Sequence, residues 1–354
     1  MKNINLIFFF IILFVSEQNF SQSVNTNFDF SGIDKFWSIV STLERNQEPT
    51  NSEWNKLFRT PGYKVLTSGE FTKDFFKKNF RLVFMPSQKK KLETSLRRKN
   101  NLHHLQHYIK VRDNKTKIKA QLGKLKRESY NRKAVKRTLE FLSQNSVNQY
   151  PPVSFVIFES NGRGSSPIVV DLAASIEWDF MSFLSHEFHH WYRNRQLKFN
   201  YRNVKREDAN IIKTFDLVEA EAIADMVDKK DWFTKSSNSI SRYARQFIND
   251  VSRAPGVIQK MDKILTEIYN HPKRKETLGR QLFSLLPQRG HTTGYFMASL
   301  ILEHTSKSQL ASCVGNPFMF FKLYSKAAKI NGRYPSFSNE ALKLLDKLSD
   351  KYVI

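Results

Sequence analysis

Apolar residues recur at intervals of three and four along most of this 354-residue chain, a pattern that predicts a mostly helical protein. Ile33 to Leu43 carries that spacing and predicts one helix. Trp54, Leu57 and Phe58 predict a second, capped by Ser52 or Asn51 and ended by Pro61-Gly62. Phe71 to Phe84 is aromatic-rich and helical in pattern. Leu92, Leu96, Leu102, Leu105 and Ile109 carry the spacing on through long helices. Pro151-Pro152 closes this region, and the period then changes. Val153 to Phe158 predicts a short buried strand, Asn161-Gly162-Arg163-Gly164 a turn, and Ile168-Val169-Val170 a second strand. The turn is no phosphate loop, because no Lys-Ser or Lys-Thr follows it. Helical signals return near Glu177 and hold to the C-terminus, with no internal repeat. The fold class that follows is α+β, mostly helical with a small sheet.

The first 23 residues read differently. Lys2 gives a positive start, Leu6 to Val15 is an apolar run, and Ser21-Gln22-Ser23 is a small-x-small site. This predicts a signal peptide, export to the periplasm or beyond, and no transmembrane span in the mature form. The layout is then residues 1–23 as signal, 24–150 as a helical basic region, 151–305 as the chemical domain and 306–354 as a helical extension. Cys313 is the only cysteine, so no intramolecular disulfide forms, and its apolar-small surroundings predict a buried thiol.

Charge changes the picture in one place. The net charge is +24, and residues 88–137 hold 18 Lys and Arg against 3 acids. Such a segment favours an anionic surface or polymer. Its only aromatics other than His are Tyr108 and Tyr130, too few for base stacking, so no specific nucleic acid is expected. A solvated face that keeps the protein soluble is the plainer reading.

The candidate chemistry sits at His186-Glu187-Phe188-His189-His190. On a helix, residues four apart share a face, so His186 and His190 can bind one ion while Glu187 reaches a water on it. Phe180, Leu184, Phe188 and Trp191 make an apolar stripe on the helix predicted over 176–195, with Phe183 beside the histidines on another side. A helix buried on two sides belongs in the middle of a domain. Downstream, Glu221 and Asp225 share a helical face among Val218 and Ala222, and buried acids need partners. That makes Glu221 the third metal candidate and Asp225 the acceptor behind a ligand imidazole. Glu219 is the rival ligand but points to the other side of the helix. His189 sits three residues from His186, a weaker ligand spacing. His103, His104 and His107 form a second cluster, read as a solvated helix face because the surroundings repel a cation.

These residues resemble the gluzincin pattern, His-Glu-x-x-His followed by Glu-x-x-x-Asp. Glu221-Ala222-Ile223-Ala224-Asp225 is similar to the Glu-Ala-Ile-Ser-Asp stretch of thermolysin-like enzymes. The chain is closer still to bacterial domains of unknown function described as putative zinc-dependent peptidases. In those a strand like Ile168 to Leu172 precedes the metal helix and a Gly-Tyr helix like Gly294-Tyr295 follows. The resemblance spans about residues 150–305 and implies a zincin-like domain with its sheet beside the metal helix. It implies one zinc ion per chain on His186, His190 and Glu221, and a peptide or protein substrate. Glu187 would act as general base, and His291 or Tyr295 would stabilise the oxyanion. Ile168 to Val170 would be the edge strand that pairs with substrate. The 30 residues between His190 and Glu221 exceed the thermolysin-like spacing, and the extra stretch, Gln196 to Asn210, is expected as a loop beside the cleft. The rival class is a non-enzymatic exported basic protein with a structural zinc; a zinc hydrolase acting on a non-peptide bond fits the same residues.

Overall fold

A computed structural model describes residues 27–97, 102–127, 130–142, 149–177, 179–234 and 240–354. The predicted signal segment lies outside them. The architecture is mostly helical, with one small mixed sheet. Eight helices precede most of the sheet: α1 (Ser31–Glu44), α2 (Asn51–Phe58), α3 (Pro61–Gly69), α4 (Lys73–Phe84), α5 (Lys89–Arg97), α6 (Leu102–Asp113), α7 (Lys115–Arg127) and α8 (Tyr130–Thr138). Thr50, not Ser52 or Asn51, caps α2, in a reciprocal box with Glu53. Pro61 opens α3 as its first residue, where a missing N–H costs nothing. The described residues of the basic segment form α5 to α8, with a turn at Asn114 between α6 and α7.

The sheet runs β1-β2-β4-β3, from β1 (Phe28–Asp29), β2 (Val153–Val156), β3 (Gly162–Arg163) and β4 (Ile168–Asp171). β1 and β4 both pair parallel to β2, and β3 pairs antiparallel to β4. Ile168 to Val170 is therefore not an edge strand. The segment expected to be only a turn carries β3, which covers that side of β4. Burial on both faces makes β2 and β4 continuously apolar or small. Asp171 ends β4 by accepting backbone N–H groups of Phe158, Glu159, Ala173 and Ala174, and His107 Nε2 lies 2.9 Å from it. The histidine cluster is thus not a solvated face. His107 is buried on Asp171, His104 packs edge-on to Phe71 and Phe75, and only His103 is exposed.

Ten helices follow: α9 (Ala174–Glu177), α10 (Phe180–Arg195), α11 (Ala209–Asp228), α12 (Arg242–Ser252), α13 (Ala254–Asn270), α14 (Lys275–Ser284), α15 (His291–His304), α16 (Lys307–Ser312), α17 (Pro317–Asn331) and α18 (Asn339–Tyr352). The helix expected over 176–195 is divided before Phe180. Asp179 caps the second part by accepting from Ser182 N, so α10 starts fresh with its own N-terminus. α11 is the central element and packs against α10, α14, α15 and α17. One hydrophobic cluster runs from Ile33 to Tyr352, and β1–β2 pairing and the Tyr63 Oη–Ile157 O hydrogen bond (2.8 Å) tie the first helices to the sheet.

The stretch after α10 is tied down at three points. Lys198 N bonds Gly315 O, Phe199 bridges Val353, and Lys205 N bonds Tyr352 Oη, so it lies against the C-terminal residues. Asp208, buried at the start of α11, takes Lys275, Lys351 and Tyr352. No described helix is long and apolar enough to cross a membrane. Cys313 is buried, and burial pushes its thiol up to about 12, which makes it inert.

Candidate metal centre

α10 and α11 bring the candidates together. Phe180, Leu184, Phe188 and Trp191 anchor one face of α10 in the core, as their spacing predicts. That anchoring turns His186 and His190 towards α11. His190 Nε2 lies 3.0 Å from His186 Nε2 and 3.2 Å from Glu221 Oε2, and His186 Nε2 lies 3.5 Å from the same oxygen. Three donor atoms thus form a triangle with sides of 3.0, 3.2 and 3.5 Å. A tetrahedral zinc with nitrogen and oxygen ligands near 2.0–2.1 Å has ligand–ligand edges of roughly 3.3 Å. Glu221 Oε2 is buried without a hydrogen bond of normal geometry, an expensive state for a carboxylate oxygen. The donor set, two imidazoles and a carboxylate, suits zinc. The triangle and the orphaned oxygen together say that these residues fit the ion.

A second grouping shares two of these residues: His186, Glu221, Asp225 and His291 also lie within metal reach of one another. Asp225, however, carries the Lys229 ammonium 2.6 Å from its Oδ1, and a second cation there would be repelled. The His186–His190–Glu221 triangle is free of that conflict.

Glu187 is buried beside the triangle. Gly164, just past β3, passes so close that an added Cβ would sit 3.1 Å from both Glu187 Oε2 and His190 Cβ. Gly162 lies against the Phe183 ring, which sets the end of β3 and β4 beside α10.

Burial works against charge on Glu221, yet the His190 and His291 rings and the nearby His186 ring hold its carboxyl well below the usual range. Burial likewise opposes charge on His186, but Asp228 and Glu221 overcome it and raise the imidazole well above its ordinary value. Burial also disfavours charge on His291, and Asp225 and Glu221 again prevail and raise it.

The structure places the remaining candidates less uniformly. His291, the first residue of α15, joins the cluster, with Nδ1 at 3.0 and 3.1 Å from the two Asp225 oxygens and 3.3 Å from Glu221 Oε2. Gly294, one turn on, makes this possible. α15 lies against the α11 backbone so closely that a Cβ at 294 would meet Val218 O at 2.5 Å. Tyr295 instead stacks on Phe233 (4.7 Å) and stands edge-on to Phe247 (5.7 Å), as an aromatic core residue does. His189 is fully buried, with its ring beside the Phe141 backbone. Glu219 pairs with buried Arg193 and accepts Gly315 N at 3.0 Å, on the far side of α11 from the triangle.

Two residues escaped the sequence reading. Asp228 Oδ1 is 3.2 Å from His186 Nδ1, and the Lys229 Nζ bonds both Asp228 and Asp225. A signal existed: Asp228 is seven residues beyond Glu221, two helical turns on the same face. An acid followed by a lysine at a helix end reads equally well as a solvated pair.

A family model described as "Putative zinc dependent peptidase (DUF5700)" matches residues 54–332, which include every residue of the cluster. No curated protein matches the chain, and no solved structure does.

Proposed function

Starting from the premise that the chain belongs to this family of putative zinc dependent peptidases, we propose that it hydrolyses peptide bonds with one zinc ion held by His186, His190 and Glu221. The observation that carries the reading is the triangle of 3.0, 3.2 and 3.5 Å among their donor atoms, with Glu187 beside it. Three protein donors leave the fourth position of a tetrahedral ion to solvent, the arrangement of a catalytic site and not of a structural one. When bound, zinc supplies Lewis acidity that activates a water and polarises the scissile carbonyl.

The chain's own residues do the rest. Glu187 accepts the proton of the attacking water on its carboxylate and returns it to the leaving amine. Its burial between Gly164 and His190 keeps bulk water from competing for that proton. His291, held by Asp225 through Nδ1, donates a hydrogen bond to the developing oxyanion.

The test is cleavage of a mixed peptide library by the purified chain, read by mass spectrometry. Cleavage should vanish after removal of metal by a chelator and return with about one equivalent of zinc. Cleavage that persists at full rate without metal would end the proposal.

A further inference from the structure

The two nitrogens of His186 have different surroundings. Nε2 faces His190 and Glu221, whereas Nδ1 faces two carboxylates. A histidine that offers Nε2 to a metal carries its proton on Nδ1. The acceptor of that proton fixes both tautomer and ring orientation. The spacing pattern nominates Asp225 for this work, but the two acids are not equivalent. Asp228 Oδ1 stands 3.2 Å from Nδ1 in hydrogen-bonding geometry, and Asp225 Oδ1 stands 3.4 Å away without it.

Asp225 is also fully engaged elsewhere. Its two oxygens lie 3.1 and 3.0 Å from His291 Nδ1, and Oδ1 takes Lys229 Nζ at 2.6 Å. Lys229 then reaches Asp228 Oδ1 and Oδ2 at 3.1 and 2.9 Å. Its ammonium lies inside the protein, within cation–π range of Trp232 and Phe247. Two carboxylates facing one imidazole nitrogen repel each other, and a cation between them holds both in place. Lys229 is that cation.

We propose that Asp228 is the positioning residue of His186, that Lys229 clamps it in place, and that Asp225 is thereby released to orient His291. The division rests on the zinc reading above. It assigns two neighbouring acids to two functions, metal affinity for one and the catalytic step for the other.

The test compares full-length wild type with Asp228→Asn, Asp225→Asn and Lys229→Met. Zinc dissociation constants come from competition with a chromophoric chelator. Thermal unfolding of the metal-free forms and kcat at saturating zinc are measured alongside. Asp228→Asn should weaken zinc binding by about 10–100-fold, the usual loss when the carboxylate behind a ligand histidine is removed. Lys229→Met should weaken it in the same direction while both carboxylates remain. Asp225→Asn should lose less affinity than either and show its main defect in kcat. An affinity loss for Asp225→Asn equal to or above that of Asp228→Asn would overturn the division, as would wild-type affinity in Lys229→Met. If metal-free Asp228→Asn is too unstable to assay, the Lys229→Met and Asp225→Asn pair decides by the same ordering. A wild type that binds no zinc would overturn both readings. One that binds zinc with no change in Asp228→Asn would overturn only this one.

Discussion

Glu187→Gln should lower kcat/KM for peptide hydrolysis by about 10³–10⁴-fold while leaving the zinc content at the wild-type level. The amide matches the carboxylate in size, so Gly164 and His190 keep their positions against it. It cannot accept a proton from water. The three candidate donors, His186, His190 and Glu221, are untouched. The loss corresponds to about 4–5.5 kcal/mol in the activation barrier. It should fall on kcat more than on KM, because the proton transfer strengthens only in the transition state. Steady-state kinetics with metal analysis of the same preparation checks it. A variant that keeps both its zinc and more than about a tenth of the activity would remove Glu187 from the role of general base.

The largest expected effect on stability lies behind the site. Arg193 is 2% exposed and bonds Glu219, which is 0% exposed, through Nε at 2.9 Å and through its terminal nitrogen, which also meets Asp216. Arg193→Met leaves the Glu219 carboxylate buried with only the Gly315 N–H. Breaking such a pair costs about 3–5 kcal/mol, because the remaining charge cannot be rehydrated. Replacing both partners by Met should recover most of that loss. Arg193 lies three residues beyond His190, and Glu219 two before Glu221. The pair therefore also fixes the register of α10 on α11 on which the donor triangle depends. Urea unfolding of the metal-free forms measures the effect. A change below about 1 kcal/mol for Arg193→Met would show that the pair contributes no more than a surface one.

The parts of the candidate site with regular spacing were legible in the chain as neighbours in space. His186, His190 and Glu187 follow from one helical turn, and Glu221 follows from the need of two imidazoles for a third donor on a facing helix. The partners of those residues were not legible, for a physical reason. Asp225, Asp228 and Lys229 are all within reach of the site face, and which acid serves which histidine depends on how α15 docks on α11. That docking turns on Gly294 lying against Val218 O, a contact between residues 76 positions apart. Glu219 does lie on the far side of α11 from His186 and His190, but its arginine partner sits on another helix and no local pattern announces it.

The same division holds in the fold. Helices with a sustained apolar stripe, such as α1, α4 and α10, coincide with the spacing of Ile33 to Leu43, Phe71 to Phe84 and Phe180 to Trp191. The sheet edges were misread because their strands are two residues long. β1 pairs with a strand about 125 residues away, and β3 lies inside a segment whose glycines signal a turn. Gln196 to Asn210 has the polarity of a cleft loop, but Phe199 and the Gly315 carbonyl draw it to the C-terminal residues.

The most direct test of the account is the metal content of the purified chain beside His190→Ala, both prepared identically, exposed to zinc and desalted. The account predicts about one zinc per wild-type chain and a loss of most of it in the variant, since one donor of three is removed. Wild-type protein without zinc, or a variant that retains it in full, would contradict the assignment of the triangle as a metal site.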